Sequence, residues 1–194
     1  VKLVPDTNAD RRIDPATIRR AKLGDAHAFT VLVEAYYARC LRFAGSMLAS
    51  PEDAEDVVQE VFVRVHAALA RYQERQRFDS WLFRIVGNCC RSANASAHAR
   101  LTQSLDATLG ATSLPAAAPP ATAFSDEWGA TVRRALAEVP EYNREILLLH
   151  YVEEFSYEEI EVMTGIKKSA LKMRAKRAAD QLRRALGTRE NTYE

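Results

Sequence analysis

One stretch divides this chain before any helix is assigned: SLDATLGATSLPAAAPPATAF, Ser104 to Phe124. It holds Pro115, Pro119 and Pro120, a single charge at Asp106, and otherwise mostly Ala, Ser, Thr and Leu. Proline and small residues without apolar periodicity give neither a helix nor a strand anything to bury, so the segment reads as an extended, mobile linker, drawn at residues 98–124. Each flank must then close a core of its own.

Both flanks read as helix. From His27 to Leu48, apolar residues fall at Phe29, Leu32, Val33, Tyr36, Cys40, Phe43, Met47 and Leu48, in steps of one, three and four. SPEDAEDVVQEVFVRVHAAL, Ser50 to Leu69, opens with a serine cap and a proline in the first turn. After the break RYQERQRFDS, Asp79 or Ser80 can cap WLFRIVGNCCRSANA, whose inner face would be Trp81, Leu82, Ile85, Val86 and Cys89. Beyond the linker, SDEWGATVRRALAEV would bury Trp128, Val132, Leu136 and Val139, and PEYNREILLLHYVEEF would follow as one helix. Two helices separated by a turn at Thr164-Gly165-Ile166 complete the set. The fold class expected is all-α: two small helical domains, 16–97 and 125–187, flanked by a disordered N-terminus (1–15) and a short tail (188–194).

Composition removes several classes. Net charge is +1, which favours no partner by itself. No run of apolar residues approaches a membrane span, and VKLVPDTNADRRIDP lacks the apolar core of a secretory signal. Three cysteines, Cys40, Cys89 and Cys90, have neither CxxC spacing nor an even count, so neither a disulfide framework nor a zinc site is expected, and a cytoplasmic setting fits. His27, His66, His98 and His150 are scattered. There is no Walker loop, HExxH or GxSxG, hence no catalytic, metal or cofactor assignment.

Charge is organised locally. The second helix sets Glu52, Asp53, Glu55, Asp56 and Glu60 beside Val57, Val58, Val61, Phe62, Val65 and Leu69. Seven arginines lie between Arg64 and Arg100 against Glu74 and Asp79, with Tyr72, Phe78 and Trp81 among them. Cations near aromatics suit single-stranded nucleic acid, because bases stack while phosphates pair. The spacing of Trp81 to Ile85, however, makes that tryptophan a core residue. In the second domain, Ser156 with Glu159 is a capping box, Gly165 makes the turn, and the next helix carries eight cations from Lys167 to Arg184 against Asp180. Eight glutamates from Glu138 to Glu161 precede it, against Arg144. This is a helix-turn-helix pattern with a basic second helix, as binding to DNA phosphates requires.

In order, the fragments DAEDVVQEVFVRV, FDSWLFRIVGN, LAEVPEYNREILLLHYVEEFSYEEI, TGI and LKMRAKRAADQLRRAL resemble the extracytoplasmic-function (group IV) sigma factors of the sigma-70 class, over about Asp25 to Leu186. The resemblance implies a non-enzymatic subunit that binds core RNA polymerase, through the clamp helices of its largest subunit and its beta flap. It implies recognition of promoter DNA, duplex and melted, and control by an anti-sigma factor, with no membrane insertion of the chain itself. The polymerase-facing residues would be Asp53, Glu55, Asp56, Gln59 and Glu60, with Val57, Val61 and Val65 holding the helix to its own domain. The minus-10 element would meet Tyr72, Gln73, Phe78, Arg84, Asn88 and Arg91. The minus-35 element would meet Lys167, Lys168, Ser169, Lys172, Met173, Arg174, Lys176 and Arg177, with Leu171 in the core. Relatives often carry Gly-Thr-Val where this chain has Ser169-Ala170-Leu171, serine where it has Met173, and Arg-Gly where it has Gln73-Glu74. Met173 can touch a thymine methyl but cannot read a base edge by hydrogen bond.

Two other functions compete. A stand-alone helix-turn-helix regulator with an N-terminal sensing domain explains the second domain but not the acidic helix. A small helical hydrolase would need a converging polar site, which the sequence does not offer.

Overall fold

The computed structural model describes residues 13–73, 77–107 and 127–190, with only the backbone at 101–107, 127–130 and 188–190. The expectations for Glu74, Trp128, most of the N-terminus, the linker beyond residue 107 and the end of the tail lie outside what it describes. Helices and turns make up the described residues, with no strand among them. The first half contains α1 (Pro15–Lys22), α2 (Ala26–Met47), α3 (Pro51–Leu69) and α4 (Phe78–Ala107). The second contains α5 (Glu127–Ala137), α6 (Glu141–Leu147), a wide π turn over Leu148–Val152, α7 (Tyr157–Thr164) and α8 (Lys168–Glu190). None of the helices in the described residues is long and apolar enough to cross a membrane.

Local chemistry sets the helix ends. The Asp14 carboxylate accepts from Ala16 N at 3.0 Å, and Pro15 occupies the first turn, so α1 begins at the margin of the segment expected to be disordered. Gly24, at φ +92°, turns the chain into α2, where Asp25 caps Ala28 N at 3.0 Å. Ser50 Oγ accepts from Asp53 N at 3.2 Å to start α3. The capping box of α7 is formed: Glu159 N donates to Ser156 Oγ at 3.2 Å, and Ser156 N donates to Glu159 Oε2 at 2.9 Å.

The apolar stripes meet where periodicity placed them. Leu32, Tyr36, Cys40, Phe43 and Met47 of α2 pack with Val58, Val61 and Val65 of α3 and with Leu82, Phe83 and Val86 of α4. Phe29 and Val33 are only half-buried, at the edge of this core. In the second half Ile146, Leu149, Phe155, Ile160 and Leu171 are fully buried. Each such side chain contributes about 1.5–3 kcal/mol of burial.

Two boundaries differ from the sequence reading. Helix α4 starts at Phe78, with Trp81 N donating to Arg77 O at 3.2 Å, so Asp79 and Ser80 lie inside the first turn instead of capping it. Asp79 instead accepts from Tyr36 Oη at 2.5 Å. At its other end α4 continues to Ala107, so residues 98–107, drawn as linker, are helical. The helix after Pro140 also fails to run through as one: it widens over Leu148–Val152, where Glu153 N reaches back to Leu148 O at 3.0 Å.

Cys40, Cys89 and Cys90 are all buried and free. Burial pushes the Cys40 thiol up to about 12, and raises those of Cys89 and Cys90 as well. The thiolate is the nucleophile. Iodoacetamide at pH 8 is therefore expected to leave the native protein unlabelled over the time in which urea-unfolded chain takes up three labels per molecule, as read by mass spectrometry. Native labelling as fast as in urea would mean that one of these helices opens readily.

Candidate functional site

Three surfaces carry the residues singled out in the sequence. On α3, Asp53, Glu55, Asp56, Gln59 and Glu60 are all exposed, while Val57, Val61 and Val65 face inward at 8%, 0% and 1% exposure. The carboxylates thus form one outward face. Among the described residues, only Glu60 of these is in an ion pair, with Arg64 Nε at 2.6 Å, one helical turn on. Sequence reading missed what adjoins them. Phe29, Val33 and Tyr37 of α2 and Gln59, Phe62 and Val63 of α3 line an open apolar groove. Val63 is 64% exposed, and Tyr37 stacks on Phe62 with centroids 6.3 Å apart. The signal was present, since Phe62 and Val63 extend the apolar stripe of Val57, Val58, Val61 and Val65 further around α3.

The second surface is the loop after α3 and the start of α4. Tyr72, Phe78 and Trp81 were expected to differ, the first two open to bases and the last in the core. All three are buried, at 5%, 6% and 9% exposure, with ring centroids 5.0–5.6 Å apart. They form one aromatic anchor because each ring has the others as its nearest apolar surface. Lys22 Nζ donates to Tyr72 O at 2.6 Å and ties the loop to α1. Tyr72 and Phe78 thus present no open face, and of the residues expected to meet the minus-10 element Gln73, Arg84 and Asn88 are exposed. Arg91, one turn beyond Asn88, is half-buried; its guanidinium donates to Asn88 Oδ1 and pairs with Glu145 of α6.

The third surface is α8. Gly165, at φ +73°, ends α7 and frees the chain to turn, and Lys167, Ser169, Lys172, Met173, Lys176 and Arg177 all point outward. Leu171 and Ala175 are buried against the rest of the domain. Two residues expected on this face are engaged elsewhere. Lys168 pairs with Glu158 of α7, which holds that carboxyl below its ordinary value. Arg174 lies over the Tyr142 ring, 4.2 Å from its centroid, and is half-buried.

The two halves pack on one another, α4 against α7 and α2 against α5 and α6. Phe83 of α4 meets Phe155 edge-on at 5.5 Å. Arg39 of α2 donates to Glu153 Oε2 from Nε at 3.0 Å and Nη2 at 2.7 Å, while its Nη1 reaches Asp79 Oδ2 at 3.4 Å. The Glu153 side chain is 2% exposed; burial pushes its carboxyl up, and the Arg39 guanidinium works against that. Arg77 pairs with Glu159 at 3.1 Å, and Asn94 Nδ2 donates to Glu141 Oε1 at 2.8 Å. Among the described residues, no group of His, Cys, Asp and Glu is arranged to hold a metal ion.

Known proteins share this fold. The family model for sigma-70 region 2 matches residues 32–99, and that for sigma-70 region 4 matches residues 130–182. The chain is 32% identical to the RNA polymerase sigma factor CarQ of Myxococcus xanthus over 177 residues, covering 89% of this chain and 97% of that protein. It is 27% identical to the ECF RNA polymerase sigma factor SigW of Bacillus subtilis over 176 residues, covering 87% and 94%. Among solved structures it resembles the sigma factor RpoE, determined with the anti-sigma factor NepR from Bartonella quintana: TM-score 0.67, 24% identity, 82% of this chain and 96% of that one. It also resembles CnrH, determined with the cytosolic domain of CnrY: TM-score 0.65, 23% identity, 89% and 96%.

Proposed function

The chain belongs to the extracytoplasmic-function branch of the sigma-70 family, as an alternative sigma factor that binds core RNA polymerase and directs it to promoters, and from that premise we propose which faces do the binding. The acidic face of α3 docks on the clamp helices of the polymerase largest subunit. Asp53, Glu55, Asp56 and Glu60 pair with its cations, and Gln59, Phe62 and Val63 extend the contact into the apolar groove. An acidic rim beside an apolar floor is what a basic amphipathic helix would match. The second domain reaches the beta flap and the minus-35 element, with Lys172, Met173, Lys176 and Arg177 forming the outward face of the recognition helix. Arg174 braces that helix on Tyr142 and contacts DNA only if the stack is given up.

Melted minus-10 DNA meets Gln73, Arg84, Asn88 and Arg91, over an aromatic anchor of Tyr72, Phe78 and Trp81 that shapes the pocket from beneath. Trapped, unstacked bases are what drive melting, so a rigid pocket floor favours it. A protein partner that restrains the factor fits the same picture, since RpoE and CnrH were each solved with one. Function in the cytoplasm, where core polymerase is, follows from this reading.

The observation that carries the proposal is the separation of charge: exposed carboxylates on α3 and exposed cations on α8, each on its own matched region. Run-off transcription on genomic fragments, with bacterial core polymerase and mapped starts, tests it. Discrete starts should require the protein. Lys176→Ala should lower yield at all of them and reduce the salt slope of duplex binding by about one. Met173→Ala should change the ranking of promoters that differ at a single minus-35 thymine. Starts that ignore both substitutions would remove α8 from the minus-35 element.

A further inference from the structure

One end of the face proposed for minus-10 DNA, at Arg91, is engaged by the second domain, while Gln73, Arg84 and Asn88 stay exposed. Glu145 of α6, with a side chain 5% exposed, pairs with Arg91, and Arg91 in turn holds Asn88. Glu153 takes Arg39, and Glu159 takes Arg77. Three carboxylates of one domain thus meet three guanidinium groups of the other, across sequence separations of 54, 114 and 82 residues. We propose that these glutamates are an internal substitute for nucleic-acid phosphate: Glu145 occupies Arg91, Glu153 and Glu159 hold the domains shut around it, and the free chain masks the Arg91 end of its own minus-10 face.

Guanidinium binds carboxylate and phosphate through the same forked geometry, which is why one can stand in for the other. The masking is selective. The α3 carboxylates and the outward cations of α8 remain exposed in this closed arrangement, so polymerase and duplex DNA still find their faces. Gly87 is the second observation. It lies in α4 under Glu145, and a Cβ built on it would stand 2.6 Å from Glu145 Oε1 and 3.4 Å from Arg91 Nη1. Any larger residue there displaces the carboxylate. Glycine is a poor choice for a helix interior on propensity alone, so its use at this position fits a need for close approach.

The inference rests on reading Asn88 and Arg91 as minus-10 contacts, and its test separates the two. Gly87→Ala removes no charge and favours the helix, so it should push Glu145 off while leaving α4 intact. Glu145→Gln with Glu153→Gln removes the charges instead. Full-length variants are compared by small-angle scattering and by anisotropy with a labelled random-sequence single-stranded DNA oligonucleotide. Both should show a larger radius of gyration and bind the oligonucleotide at least about tenfold more tightly, the penalty imposed by a state closed nine-tenths of the time. Unchanged dimensions and affinity in both would overturn the proposal. So would opening without tighter binding. In that case Arg91→Ala in the opened chain tells which premise failed: weaker binding leaves Arg91 a DNA contact and rejects the masking alone, whereas no effect rejects the minus-10 reading as well.

Discussion

Replacing Asp53 and Asp56 together by arginine is expected to cut run-off transcription by about a hundredfold at limiting core polymerase. Close charge pairs across protein interfaces couple by about 1.5–7 kcal/mol, and each 1.4 kcal/mol is a factor of about ten. On the proposed docking of α3, reversal loses attraction to the clamp's cations and adds repulsion, so two sites at the low end of that range suffice. The fold should survive. Both side chains are exposed, and the cap at this helix start is Ser50 Oγ, not either carboxylate. Reversing charge near a helix N-terminus costs about 0.3–1 kcal/mol per site. Circular dichroism should therefore show native helix content while co-purification with core polymerase is lost. Undiminished run-off would make this an ordinary solvated face and shift the polymerase contact to the apolar groove beside it.

Phe83→Ala is expected to lower stability to urea by about 3–5 kcal/mol, the usual range for removing a buried aromatic ring. Phe83 is 1% exposed and is enclosed on several sides. Phe43 meets it edge-on at 5.5 Å, Phe155 of the second domain does the same at 5.5 Å, and the Arg39 guanidinium lies 5.0 Å from its centroid. The ring supports both its own core and the cation that holds Glu153, so its loss leaves a cavity and a loosened ion pair at once. A cost below about 1.5 kcal/mol would mean that the neighbours collapse into the space.

How much of this was legible in the sequence follows from which interactions are local. The split of α3 into valines and carboxylates, the Ser156–Glu159 capping box, the Gly165 turn and the burial of Trp81 and Leu171 all rest on residues within a turn or two of each other. Periodicity and cap chemistry see that far. The start of α1 was missed, since residues 1–15 read as disordered, although Asp14-Pro15 is a cap followed by a first-turn proline. The pairing of Arg39 with Glu153 was not legible, because 114 residues separate them and nothing beside either one points to the other. Tyr72 and Phe78 were misjudged for a related reason. Aromatics in a loop can stack on a ligand or on one another, and only the folded chain shows that Trp81 is within reach of both. Arg174 looked like its basic neighbours until α8 was seen to cross Tyr142.

The buried thiols limit what kind of signal this chain can receive directly. A cysteine that senses oxidants must ionise near neutral pH and meet solvent, because oxidation to the sulfenic acid begins from an accessible thiolate. Cys40, Cys89 and Cys90 meet neither condition. If a cell uses this factor to answer oxidative stress, the chemistry of detection belongs to another molecule, and what reaches this chain is a change in who holds it.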